Sequence, residues 1–179
     1  MEPFELPGGV VARRWEVADA TATFALIDAN RSHLIRWMPW VRDTNSGYDV
    51  ATFMQESQIR FREGRAVDLG LFEADRVLGG IGATIGTLTH DEADIGYWLA
   101  ADAQGRGIAS IAAGRLIDWL FAERDMHRIT IRARVDNDRS RAVAERLGFT
   151  FEGVLRGALV VDGGHHDAAL YSLLRPEWT

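Results

Sequence analysis

The stretch Ile95-Gly96-Tyr97-Trp98-Leu99-Ala100-Ala101-Asp102-Ala103-Gln104-Gly105-Arg106-Gly107-Ile108-Ala109-Ser110 passes from β-prone sequence into a glycine-bracketed loop and then into helical sequence. Glycines on both sides of Arg106 let the backbone turn so that consecutive N–H groups point into one hollow. The positive end of the following helix favours an anion in that hollow. On physical grounds this is a phosphate cradle. Two common versions are excluded. A dinucleotide fingerprint needs Gly or Ala where Ser110 stands, and five residues separate Leu99 from Gly105, too many for its tight turn. A Walker loop needs a lysine, and all 20 cations of this chain are arginine. The run Gly79-Gly80-Ile81-Gly82 has no helical sequence behind it, so its glycines are expected at bulges or close packing.

Composition narrows the chemistry further. Without cysteine there is no disulfide framework, thiolate metal site or cysteine nucleophile, and without lysine there is no Schiff base or lysine general base. The 179 residues, 47% hydrophobic and 26% charged, predict one soluble globular domain over 1–179. A chain of this length buries roughly 70% of its unfolded surface, so it needs no metal or disulfide staple. Residues 1–100 carry 9 arginines against 15 acids and residues 101–179 carry 11 of each, so the net charge of −6 resides in the first half. Arg124–Arg146 is locally basic, seven arginines against four acids, and reads either as a salt-paired face or as a patch for an anionic ligand. The overall acidity argues against nucleic acid. MEPFELPGG carries acids where a signal peptide needs cations, and no apolar run reaches the length of a membrane span, so a cytoplasmic protein without a membrane partner is expected.

The elements that must position the loop follow from periodicity. A strand is predicted at Val10–Trp15, then a helix from an N-cap at Asp19 through Phe24 and Ile27 to Leu34, stopped by Pro39 within Trp37-Met38-Pro39-Trp40. A second helix from about Asp49 carries Val50, Phe53, Met54 and Phe61 on one stripe and ends at Gly64. Val67–Phe72, Val77–Leu88 and Ala93–Leu99 read as a meander with turns at Glu73–Arg76 and Thr89–Glu92. A long helix from Ile108 places Ile111, Ala112, Leu116, Trp119 and Leu120 on one face. A strand at Arg128–Val135, a helix at Asp138–Leu147 ended by Gly148, and strands at Phe149–Leu155 and Ala168–Leu174 complete a mixed α/β order of β-α-α-β-β-β-α-β-α-β-β.

The loop matches Gln/Arg-x-x-Gly-x-Gly/Ala at Gln104, Gly107 and Ala109. Gly96-Tyr97-Trp98-Leu99 precedes it; Asn137-Asp138-Arg139-Ser140-Arg141-Ala142, Leu147-Gly148-Phe149 and the stretch Asp167–Leu174 follow. With Trp37-Met38-Pro39-Trp40, these segments resemble the Gcn5-related N-acetyltransferases (GNAT), in particular their ribosomal-protein (RimJ/RimL-like) branch. The resemblance implies a central, mostly antiparallel sheet of about seven strands flanked by about four helices. Its fourth and fifth strands, here Ala93–Leu99 and Arg128–Val135, would splay to admit acetyl-CoA. It further implies a pyrophosphate on Gln104, Gly105, Arg106, Gly107, Ile108, Ala109 and Ser110, and a pantetheine arm along Trp98 and Leu99. A backbone N–H near Leu99 would serve the thioester oxygen. No metal is required, the amine attacks the thioester directly, and a homodimer is expected.

Acetyl transfer needs a neutral amine and a donor for the leaving sulfur. Many family members donate from a tyrosine where this chain has Ala144; the resemblance assigns the task to Ser140, with Asn137 one turn earlier. Asn137 also reads as a helix cap, and cap and cofactor contact can coexist. The branch often places a glutamate base where Leu159 stands. Asp94 and Glu92, or His165 and His166, remain as candidate bases. The two histidines, adjacent in extended sequence, point to opposite faces and with Asp167 read as a polar turn rather than a metal site. At pH 7 an α-amine is roughly 10–15% neutral and a lysine amine about 0.04%, so an enzyme short of a base is expected to take an N-terminal or similarly weakly basic amine, on a peptide or a small molecule. Trp37 and Trp40 read either as walls for that acceptor or as core packing beside a proline. The alternatives are a non-catalytic acyl-CoA-binding module and a transferase for a larger acyl group such as succinyl.

Overall fold

The computed structural model describes residues 1–86 and 91–178. Eight strands form one sheet in the order β1-β2-β3-β4-β5-β6-β8-β7, where β1 is Phe4–Leu6, β2 Val10–Arg14, β3 Ala66–Glu73, β4 Arg76–Ile85, β5 Glu92–Leu99, β6 Arg128–Arg134, β7 Thr150–Val161 and β8 Gly164–Leu174. All neighbours are antiparallel except β5 and β6, whose parallel pairing requires a long crossover, supplied by the helix Ile108–Glu123. Residues 87–88, expected to extend the strand from Val77, and the first two residues of the expected turn at 89–92 lie outside the described residues.

The sheet has one strand more than the sequence pattern predicts. Phe4–Leu6 pairs with β2 across Pro7-Gly8-Gly9, where both glycines take positive φ (80° and 73°). The last hairpin is longer than expected at both inner ends, because Asp162 and Gly163 (φ 51° and 74°) form the tight two-residue turn that right-twisted strands favour. Consequently His165 and His166 lie within β8, opposite Val160 and Leu159.

Among the described residues, five α-helices cover the two faces. Helix α1 (Ala20–Ala29) and the one-turn α2 (Arg31–Leu34) replace the single predicted helix. They part at Asn30, whose side chain donates to Leu26 O at 3.0 Å and accepts from Ala101 N at 2.9 Å. Asp19 does not cap α1 with its side chain; its carboxylate accepts from Glu16 N and pairs with Arg13. Helix α3 (Gly47–Arg62) starts on a Ser46 cap and gives way at Gly64 (φ 73°). Helices α4 (Ile108–Glu123) and α5 (Asp138–Arg146) follow, the latter capped by Asn137 and closed by Gly148 (φ 80°).

Burial separates two cores. Ile108, Ala112, Leu116, Ile117 and Leu120 of α4 pack with Leu69, Ile81, Ile95, Ile129, Ile131 and Tyr171 on one face of the sheet. The buried stripe of α4 is thus rotated from the expected one, leaving Ile111 39% exposed. On the other face Ile27, Leu34, Val50 and Met54 of α1–α3 pack with Trp15, Phe72 and Val77.

The glycine run lies in β4, where a bulge at Leu78 shifts the pairing with β3. A Cβ on Gly79 would run into the Trp98 carbonyl, and one on Gly82 would come within 2.7 Å of the Val67 carbonyl. Gly79→Ala is expected to lower stability by more than about 2 kcal/mol, because the obstacle is backbone and not a movable side chain. An unchanged midpoint in chemical denaturation would show that β4 can draw back from β5.

Candidate active site

Beyond Leu99 the chain makes a 3-10 turn at Ala101–Ala103 and enters the glycine loop, where Gly105 and Gly107 both have φ 75°. A side chain is strained in that conformation, whereas glycine adopts it freely. The first bond of the helical ladder is Ile111 N to Gly107 O at 3.0 Å, so the N–H groups of Ile108, Ala109 and Ser110 stand outside the ladder at the positive end of a 16-residue helix. The Ser110 hydroxyl oxygen accepts from Arg146 at 2.6 Å, which ties the start of the helix to α5. A Cβ on Gly105 would meet nothing within 4 Å, so the hollow is open on that side. Donor set, curvature and open space fit a diphosphate.

The sheet opens beside this loop. Parallel pairing of β5 and β6 runs from Glu92–Arg128 to Ile95–Ile131 and stops, after which Gly96–Leu99 pair only with β4 and Arg132–Arg134 only with β8. Ala100 N bonds Leu78 O on the β4 side, whereas Leu99 O accepts from the Gln104 amide at 3.4 Å on the open side. Strand alternation therefore turns the Leu99 N–H into the opening as well.

Alternation also divides the side chains. Tyr97 packs with the α4–α5 core, and Trp98 with the α1–α3 core. Trp98, expected along the pantetheine arm, lines the cleft at this opening and sets its ring edge-on to Trp40, with centroids 5.5 Å apart. The neighbour that faces α5 is Tyr97, which sequence reasoning passed over. Its hydroxyl lies 3.0 Å from both Ser140 Oγ and Ser140 O, and burial pushes its pKa up to about 12. Alternation from Leu99 was the signal that could have found it. Asn137 caps α5 by accepting from Ser140 N at 3.2 Å. Asn137, Ser140 and Tyr97 all line one cleft of about 530 Å³.

That cleft passes through the opening to the α1–α3 face, where Trp37, Trp40, Phe53 and Trp98 form its aromatic walls. Trp40 and Phe53 are 36% and 41% exposed. Three carboxylates line it, each with partners. Asp49 accepts from Asn45 N and the Ser46 hydroxyl, both at 2.9 Å, which holds it below the usual carboxylate range. Asp68 pairs with Arg60 at 3.1 Å. Asp94 accepts from Thr130 Oγ1 at 2.8 Å and from Arg132 at 3.2 Å and 2.9 Å, so both of its oxygens are engaged. Leu159 lines the cleft where a glutamate was expected. Glu92 is buried near Arg128, away from the cleft lining, and His165 and His166 lie 3.3 Å from Gly157 O and 3.2 Å from Val161 O.

The basic segment is mostly neutralised locally. Arg128 grips Glu152 with two 2.7 Å bonds and holds that carboxyl down to about 2; Arg134 pairs with Asp136, and Arg141 bonds Tyr171 and Val135 O. Arg139 and Arg146 turn towards the glycine loop, onto Gln104 and Ser110.

A diphosphate cradle feeding a gap between two parallel strands, with an aromatic chamber beyond the gap, defines an acyl-CoA-dependent transferase. Residues 10–150 match the acetyltransferase (GNAT) domain. The ribosomal-protein-serine acetyltransferase of Escherichia coli (strain K12) is 32% identical over 149 residues, 83% of this chain and 83% of that protein. A RimL structure described as a ribosomal L7/L12 alpha-N-protein acetyltransferase in complex with coenzyme A superposes with a TM-score of 0.90 at 27% identity, covering 97% of this chain and 98% of its own. The microcin C7 self-immunity acetyltransferase MccE, solved with acetyl-CoA and AMP, gives 0.87 at 30% identity and 93% of both chains. The chain belongs to the GNAT family, and it is an N-acetyltransferase that uses acetyl-CoA.

Half-buried with its hydroxyl against Ser140, Tyr97 has a pKa raised to about 12 chiefly by loss of solvent, and its phenol is expected to titrate last. In a phenolate absorbance titration, Tyr97→Phe should remove the last step to appear; loss of an earlier step would place Tyr97 in contact with water.

Proposed function

We propose that this N-acetyltransferase acts on an α-amine, either the N-terminus of a protein or peptide or that of a small amino compound. One observation carries the reading. Each carboxylate in the cleft is already bonded, and the base position of the branch is an apolar Leu159. Such a site suits an amine that is partly neutral without help. The relatives that acetylate a ribosomal-protein serine and the alpha-N position of L7/L12 support the same acceptor class.

In this reading Gln104–Ser110 hold the pyrophosphate of the co-substrate on backbone donors, and the Leu99 N–H stabilises the oxygen that gains charge. The amine nitrogen forms the C–N bond as the C–S bond breaks, and its proton leaves to solvent. Ser140 donates to the departing sulfur while Asn137 fixes the turn that carries it. Asp94, bound by Arg132, supplies fixed negative charge on the acceptor side and takes no proton. Trp37 and Trp40 wall the acceptor. A second reading, an amine on a small planar compound, draws on the exposed faces of Trp40 and Phe53 and on the relative solved with AMP.

Thiol release from acetyl-CoA should be measured across N-terminal peptides, Nα-blocked lysine peptides and ring-bearing small amines. At neutral pH, α-amines should exceed lysine by about 100-fold or more, following the difference in neutral fraction. Equal turnover of both would sink the assignment, and turnover confined to the ring-bearing amines would favour the second reading. Ser140→Ala is expected to lower kcat by about 100-fold with the KM for acetyl-CoA nearly unchanged; an unaltered kcat would move the donor elsewhere.

A further inference from the structure

Gln104 opens the glycine loop, and its side-chain amide makes three contacts at once. The Nε2 group lies 2.6 Å from His33 Nε2 and 3.4 Å from Leu99 O, and Oε1 accepts from Arg139 of α5. Two of these contacts fix which end of the amide is which. Flipping it would set oxygen against the Leu99 carbonyl oxygen and NH₂ against a guanidinium, so Nε2 must face His33. Both hydrogens of that NH₂ are then donated, one to Leu99 O and one to the ring. His33 Nε2 must therefore be an acceptor, with the ring proton on Nδ1.

We infer that His33, on α2 at the acceptor side, is a positioning residue for acetyl transfer: its neutral ring clamps Gln104, and Gln104 holds the Leu99 carbonyl so that the adjoining N–H faces the opening between β5 and β6. The peptide after Leu99 is pinned from both sides, by Leu78 O on the Ala100 N–H and by Gln104 on the Leu99 carbonyl. Asn30, at the start of the same turn, adds a second tie from this side through Ala101 N. Protonating His33 would set two donors face to face and release the amide.

The charges bearing on the ring are Arg36 beyond α2 and Arg139 on α5. In the adjoining loop, Asp102 is paired with Arg76, and Arg106 with Glu73. Burial first, and then the two arginines, lower the His33 pKa below its ordinary 6.5. The sign follows: the clamp is complete above the ordinary histidine pKa and is lost as pH falls through the lowered one.

The effect on kcat rests on the acetyl-transfer role of the Leu99 N–H; the state of the ring does not, so the two are read separately. In ¹⁵N NMR of the full chain, His33 should show protonated Nδ1 and unprotonated Nε2 and titrate below the range of an exposed histidine. The opposite tautomer, or a pKa at or above that range, overturns the clamp. Kinetics then use two variants. His33→Gln places an amide oxygen near the position of Nε2 and accepts at any pH, whereas His33→Ala accepts nothing. At about pH 7 His33→Ala should lose about 5- to 10-fold in kcat and His33→Gln less than about twofold, the scale of one buried hydrogen bond. With one α-amine acceptor at saturation, the wild-type rate relative to His33→Gln should fall as pH drops towards 5, since the acceptor's own titration cancels in the ratio. A flat ratio, or equal loss in both variants, refutes the positioning role even where amine specificity is as proposed.

Discussion

The parallel ladder between β5 and β6 ends at Ile95–Ile131, and the working parts of the molecule are arranged around that interruption. Interrupting a sheet exposes unpaired backbone groups, which is tolerated only where something else satisfies them. Each diverging strand keeps a complete partner on its outer edge, β4 for β5 and β8 for β6, so the loss is confined to the inner edges. The close approach of β4 at its glycines is what keeps β5 in place without help from β6. The helix that the parallel crossover demands then starts beside the gap, and the same connection that closes the topology delivers the N–H-rich loop.

Two-residue alternation along β5 distributes tasks to the two faces. Along Ala93–Leu99 the odd-numbered side chains join the α4–α5 core, where Tyr97 reaches Ser140, and Asp94 and Trp98 face the cleft, where Trp98 meets Trp40. The opening is thus a passage between two chemically different surfaces. Backbone donors and a helix dipole suit phosphate on one side, and indole faces with bonded carboxylates suit an amine-bearing acceptor on the other. The Gln104–His33 contact and the Asn30–Ala101 bond cross between them.

Much of this was legible in the sequence, because it rests on local rules. The glycine loop, the Asn137 cap, the Gly64 and Gly148 stops and the β-prone meander depend on near neighbours. The strand Phe4–Leu6 and the inner ends of the final hairpin were missed although Pro7-Gly8-Gly9 and Asp162-Gly163 are turn signals, since the flanking residues alternate weakly. The break at Asn30 was invisible, because its side chain bonds to Ala101, remote in sequence. For the same reason the contact of Trp98 with Trp40 was not legible: which neighbour faces which core is settled by packing across strands. The partners of Asp94 lie on β6, so its engagement could not be read from β5 alone.

The acetyl end and the acceptor end differ in the kind of atom they are built from. At the loop the proposed phosphate donors belong to the main chain, held in place by a few side chains such as Gln104. At the proposed acceptor end the walls are the side chains of Trp37, Trp40, Phe53 and Trp98. On the proposed reading, mutation would redraw what is accepted, one indole at a time, without disturbing what is donated. A protein divided in that way would be free to drift among acceptors while its donor stayed constant.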